Sequence, residues 1–306
     1  MTTSACDVMF PGLWVNAYHF ERALSGHKPH GQAVRAASFT FPPSCKIMVD
    51  AGVRLLSLVN QLCAAKKKVL LTFDEGILGT MGYLNRMGFF DFLDPAIEVA
   101  PFRPRVPGAG LFGGRSASLV EFAAIAPRER DQGLPGRLAQ TLEDSVGQRP
   151  DARTLGHAAF TVFAELIDNI HNHSGSTLAG YAALQVYKKG GRVKVVVSDS
   201  GVGILNTLRP VMAAMRPMLA EYSDTDLVVE AFRKGLSRHG GGRGCGLKTC
   251  ADHALKFSAE LDVRLPNCRV HLLPSSDGYK PNLALCSDGL FTLHGTHLAF
   301  DFALDK

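Results

Sequence analysis

Apolar residues recur at helical intervals between Cys45 and Ala65, at Ile47, Val49, Val53, Leu56, Val59 and Leu62. The spacing predicts a helix, and Lys68–Phe73 behind it reads as a short buried strand. A second helix is expected over Gly79–Leu93, whereas residues 1–40 show no dominant period. Pro101, Pro104, Pro107 and the glycines at 108, 110, 113 and 114 form a breaker-rich stretch, followed by a strand or short helix over Ser118–Ala126. Helical patterns return at Leu138–Val146 and Thr154–His173. Two strands, Tyr181–Lys188 and Arg192–Asp199, then flank the turn Gly190-Gly191. A methionine-containing helical stretch lies between Ile204 and Gly240, and a glycine-rich segment opens a helix over Leu247–Phe257. Strands are expected at Glu260–Leu265, Arg269–Leu273, Leu283–Cys286 and Thr296–Phe302.

The alternation of both element types makes this an α/β chain, and 306 residues at 46% hydrophobic content suffice for two cores. The charged, glycine-containing segment Arg128–Gly136 is the expected border between an N-terminal α/β domain, 1–130, and a C-terminal domain, 134–306. A net charge of +5 is diluted over the chain, and the densest basic run is Lys66-Lys67-Lys68, so nucleic-acid binding is not indicated. Seven irregularly spaced cysteines point to reduced thiols and a cytoplasmic protein. Cys245, Cys250 and His253 lack the second ligand pair of a zinc site. No leader pattern and no apolar run near the roughly 18 residues of a membrane span occur.

Three polar constellations carry the chemistry. On the helix around Ala158–His173, Ala159, Phe163, Leu166, Ile167 and Ile170 share one face, while Glu165, Asn169 and His173 share another. Next, Val195–Ser198 leads into Asp199-Ser200-Gly201-Val202-Gly203-Ile204, a carboxylate at a strand end with glycines where the chain must turn. Last, Gly242-Arg243-Gly244-Cys245-Gly246-Leu247 opens a helix whose backbone N–H groups can receive an anion.

In that order the three resemble the motifs of the GHKL (Bergerat-fold) ATPases, the superfamily of gyrase-type, chaperone-type, histidine-kinase and mismatch-repair enzymes. Glu165-x-x-x-Asn169-x-x-x-His173 resembles the N box. Asp199-x-Gly201-x-Gly203-Ile204 and Gly242-x-Gly244-x-Gly246-Leu247 resemble the two glycine boxes, and Gly295-Thr296 the terminal Gly-Thr element. The resemblance covers about residues 134–306 and implies an α/β sandwich with a mixed, mostly antiparallel sheet that binds Mg·ATP. It gives Asp199 the adenine amino group, with Thr296 assisting, and gives Asn169 an oxygen for Mg²⁺. His173 falls next to the phosphates, and Glu165 becomes the general base. The glycines of the second box, with Arg243 or Lys248, go to the phosphates, and Ile204–Gly241 becomes a lid. Within it, Lys234-Gly235-Leu236-Ser237-Arg238 resembles a stretch of several sensor kinases and adds Ser237 and Arg238 as phosphate contacts.

No long helix with a phosphoacceptor histidine is expected before Leu155, and Lys306 follows closely on the last expected strand. The pattern is therefore closest to the anti-sigma-type serine kinases. Residues 38–95 also resemble a STAS-type (anti-sigma-antagonist-like) module in their order of elements, with Thr80 nearest to the phosphoacceptor place of such modules. The implied protein is an ATP-dependent protein kinase or slow ATPase that meets a protein partner through its N-terminal domain, as a monomer or homodimer. A nucleotide-gated switch without turnover is the alternative.

Overall fold

In the computed structural model, residues 4–106, 118–126, 129–173, 175–215, 218, 221–234 and 246–305 are described. The N-terminal unit runs β1 (Ser4–Met9), β2 (Trp14–Val15), α1 (Ala17–Ala23), β3 (Val34–Phe41), β4 (Lys46–Ile47), α2 (Val49–Ala64), β5 (Lys68–Phe73), α3 (Thr80–Arg86) and β6 (Glu98–Ala100). Its four-stranded sheet has the order β1-β3-β5-β6, with every pair parallel. The C-terminal unit follows with β7 (Leu119–Ile125), α4 (Leu134–Ser145), α5 (Ala152–His173), β8 (Gly180–Tyr187), β9 (Arg192–Ser198), α6 (Ile204–Met215), α7 (Asp224–Lys234), α8 (Gly246–Lys256), β10 (Glu260–Leu265), β11 (Cys268–Ser275), β12 (Gly278–Pro281) and β13 (His297–Ala303).

Seven strands form its sheet, in the order β12-β11-β10-β13-β9-β8-β7, and each pairing is antiparallel. β7, on the N-terminal side of the expected border, is thus the edge strand of the second sheet. The expected strand at Leu283–Cys286 is instead a single 3-10 turn, Leu283–Leu285, and the twelfth strand lies just before it, with a proline at its end. Proline lacks the N–H that a continuing ladder needs.

One face of the large sheet is apolar. Ala182, Leu184, Val193, Val195, Val263 and Phe300 point into a core closed by Leu138 of α4, Phe163 and Leu166 of α5, and Ala251 of α8. The period of two along the strands puts their other residues on the opposite face, where α2 lies. That helix is buried nearly all round, from Val49 to Leu62, packed between the two sheets. Its apolar positions meet both sheets, including Tyr181, Ala183, Val196 and Ala299.

Its polar positions form a stripe, Asp50, Arg54, Ser57 and Gln61, against the polar side of the sheet. Arg54 donates to Glu21 of α1 at 3.1 Å and to Asp262 of β10. Arg264 also donates to Glu21, at 3.0 Å, and Arg269 to Asp262, at 2.8 Å. Asp50 accepts from Lys194 at 2.9 Å. Burial works against ionisation of Asp262, but Arg269 and Arg54 prevail and hold its carboxyl well below the usual range. Buried charges persist only when paired and hydrogen-bonded in this way. Among the described residues, no helix is long and apolar enough to cross a membrane.

Candidate functional site

Asp199 stands one residue past β9, where its backbone N–H still pairs with the Thr296 carbonyl at 3.0 Å. Its carboxylate is buried and held from two sides. One oxygen accepts the Gly201 N–H at 2.6 Å, and the other accepts the Thr296 N–H at 3.0 Å. Burial pushes the Asp199 carboxyl up, against the pull of these donors. Thr296 is tied in turn to the glycine loop, since its hydroxyl accepts the Ile204 N–H at 3.1 Å.

Glycine is required at two places here. Gly295 has φ +102°, and a Cβ on it would lie 2.0 Å from the Asp199 carbonyl oxygen. Gly203 has φ +79°, with Pro266 and the Gly295 carbonyl in the way of any side chain.

α5 supplies the second wall. Ile170 packs beside Gly180 where that residue meets the Ser198 carbonyl, so the last turns of α5 lie over the end of β9. Asn169 is half-buried one residue earlier, and Glu165 is one turn before it on the same face. The Glu165 carboxylate covers the first residue of α8: a Cβ on Gly246 would sit 2.1 Å from its Oε1. The partial positive charge of a helix amino end favours a carboxylate or phosphate there. Burial, with the charge of Glu165 adding to it, pushes the Cys250 thiol up to about 12 and keeps it protonated at neutral pH.

Other expected site residues are placed differently. Leu247 is buried in the apolar core, and Ile204 packs against that core while offering its N–H to Thr296. Lys248 pairs with Asp252 one turn on, at 2.5 Å. Ser237, Arg238, Gly242, Arg243, Gly244 and Cys245 lie outside the described residues, as does the His173 side chain. Thr80 is buried, and its hydroxyl donates to the Cys45 carbonyl at 2.5 Å, an ordinary structural use.

Sequence reasoning missed the residues that reach this site from α2. Gln61 brackets His294, donating to its carbonyl at 2.9 Å and accepting its N–H at 3.0 Å, and also donates to the Ser200 hydroxyl at 3.2 Å. Ser57 meets Ser198 at 3.3 Å, and Ser198 meets His297 at 2.5 Å. The residues flanking Asp199 and Thr296 are thus hydrogen-bonded to the N-terminal unit. A polar stripe at helical spacing inside an otherwise apolar helix was the available signal.

The donor set fits an adenine nucleotide. A carboxylate offers about four lone-pair positions, and two backbone N–H groups use only part of them, so Asp199 keeps capacity for an exocyclic amino group. Asn169 offers a neutral oxygen of the kind Mg²⁺ prefers. The fold is an α/β sandwich with a clamped carboxylate at a strand end, opposite a polar helix face. Residues 156–278 match the family described as histidine kinase-, DNA gyrase B-, and HSP90-like ATPases. This region of the chain is a GHKL-type ATP-binding module. Comparison with curated proteins finds no match.

Proposed function

We propose that the chain is a Mg²⁺-dependent ATP-binding regulator, acting as a protein kinase or slow ATPase on a protein partner met through the N-terminal unit. The observation that carries this reading is the Asp199 carboxylate, buried and clamped by the Gly201 and Thr296 amides beside a glycine loop. Asp199 would accept from the adenine amino group, and Asn169 would contribute an oxygen to the metal. When bound, Mg·ATP supplies a transferable γ-phosphoryl group. Glu165, at the amino end of α8, would orient and deprotonate the attacking hydroxyl or water.

The hydrogen bonds from Gln61 and Ser57 to the residues around Asp199 favour a second reading, a nucleotide-gated switch whose bound state is read by α2. Two variants separate the readings. A general base contributes on the order of 10²- to 10⁴-fold in rate. Glu165→Ala is expected to bind Mg·ATP as well as the parent, or better, while losing turnover by that factor. Asn169→Ala is expected to weaken binding through the metal. Turnover by Glu165→Ala at the parental rate, or no turnover by the parent with any partner, leaves the switch as the better account.

A further inference from the structure

At the far end of β9 from Asp199, a groove of about 1300 Å³ separates the two units. It lies beyond the carboxyl ends of β3 and β5, the side of a parallel sheet where ligands are received. Its other wall is the β8–β9 turn and the start of edge strand β7. The volume exceeds the roughly 300–1,000 Å³ of small-molecule clefts.

Two features describe what it takes. Six basic side chains line it against two acidic ones, Glu75 and Asp301. Arg192 and Lys194 are balanced by Asp301, Glu260 and Asp50, and Arg86 acts on the buried Tyr83, which leaves the excess with Lys46 and the exposed turn lysines Lys188 and Lys189. The rim is also apolar. Trp14 is 55% exposed, with the Lys46 ammonium 5.4 Å from its ring centre, and Leu78 is 94% exposed. Leu13 and Ile77, the chain neighbours of Trp14 and Leu78, add exposed apolar surface. Clustered exposure of this kind marks interaction sites.

We infer that this groove docks an acidic peptide segment of a partner protein, its carboxylates on Lys46, Lys188 and Lys189 and an apolar side chain on Trp14 and Leu78. The concave shape favours a chain segment over a membrane surface, which would reach only the rim. The inference gives the partner of the proposed function its chemistry, and it does not depend on nucleotide.

Trp14 is the only tryptophan of the chain, so its emission reports on the groove directly. The full-length protein, without nucleotide, is titrated with a short synthetic peptide of alternating glutamate and leucine. Parallel titrations use its lysine and leucine counterpart and vesicles of mixed phosphatidylcholine and phosphatidylserine. A saturable blue shift with the acidic peptide alone is expected, weakening with salt. Lys188→Glu combined with Lys189→Glu is expected to weaken it by roughly tenfold while ATP affinity stays unchanged. No shift, a shift indifferent to the charge reversal, or an equal shift with the basic peptide or the vesicles overturns the inference. Failure of the parent to bind ATP would defeat the nucleotide reading alone.

Discussion

The two faces of the seven-stranded sheet are built by opposite means. Under α4, α5 and α8 the contacts are aliphatic and aromatic, and any side chain of fitting volume serves. Under α2, between Glu21, Arg54, Asp262, Arg264 and Arg269, each group needs a partner at one position, since an unpaired buried charge is strongly unfavourable. The apolar face gives the module its core. The polar face fixes how the N-terminal unit sits on it, and through Gln61 it also fixes the loop that holds Asp199.

The contrast can be measured by pH. Phe163→Ala and Arg54→Ala are each expected to cost about 3–5 kcal/mol at neutral pH, from a cavity in one case and the loss of the cation shared by two buried carboxylates in the other. Denaturant unfolding at pH 7 and again near pH 4.5 separates them. With Arg54 gone, Asp262 has lost one of the cations that hold its carboxyl down, its pKa rises, and protonation relieves part of the penalty in acid. The Arg54→Ala deficit is therefore expected to shrink while the Phe163→Ala deficit holds. Equal behaviour of the two variants would mean that the faces do not differ in kind.

A smaller effect comes from His271, which lies 3.4 Å from Asp262 and 3.3 Å from Glu260. Burial opposes its protonation, but hydrogen bonds to the two carboxylates prevail and raise its pKa to about 9. A raised folded pKa means that the stabilisation is complete below the unfolded value of about 6.5 and is lost as pH rises through about 9. The parent is expected to lose thermal stability across that window, and His271→Gln to lack the slope. An unchanged slope in the variant would place its origin elsewhere.

How much of this was legible follows the same division. The periods of α2, β5, α5, the β8–β9 hairpin and β10 were readable because apolar residues mark them, and β5 and β10 fall on the expected residues. The first glycine box and the Gly-Thr element could be read from the sequence as neighbours, since Asp199, Gly201, Ile204 and Thr296 meet within one loop pair, whereas most of the second glycine box lies outside the described residues. The start of the chain was opaque. β1 and β3 alternate buried with exposed positions, but small residues such as Ala5, Ala36 and Ala37 blur the alternation.

The docking of the two units was opaque for another reason. Asp50, Arg54, Ser57 and Gln61 look like a solvated helix face, and Lys194, Asp262 and Asp301 like the wet side of a sheet. Only their juxtaposition turns them into a buried interface. A single sequence holds each half of a charge pair without saying which halves meet.

The central claim, that ATP is held through Asp199, is tested most directly by calorimetric titration of ATP with Mg²⁺ into the parent and into Asp199→Asn. Both carboxylate oxygens accept backbone N–H groups, so either orientation of the amide faces a donor with a donor. An unsatisfied buried polar group costs about 1–3 kcal/mol, roughly five- to 150-fold in affinity. The account predicts a loss of that size in a variant that circular dichroism shows to be folded. Unchanged affinity would contradict it.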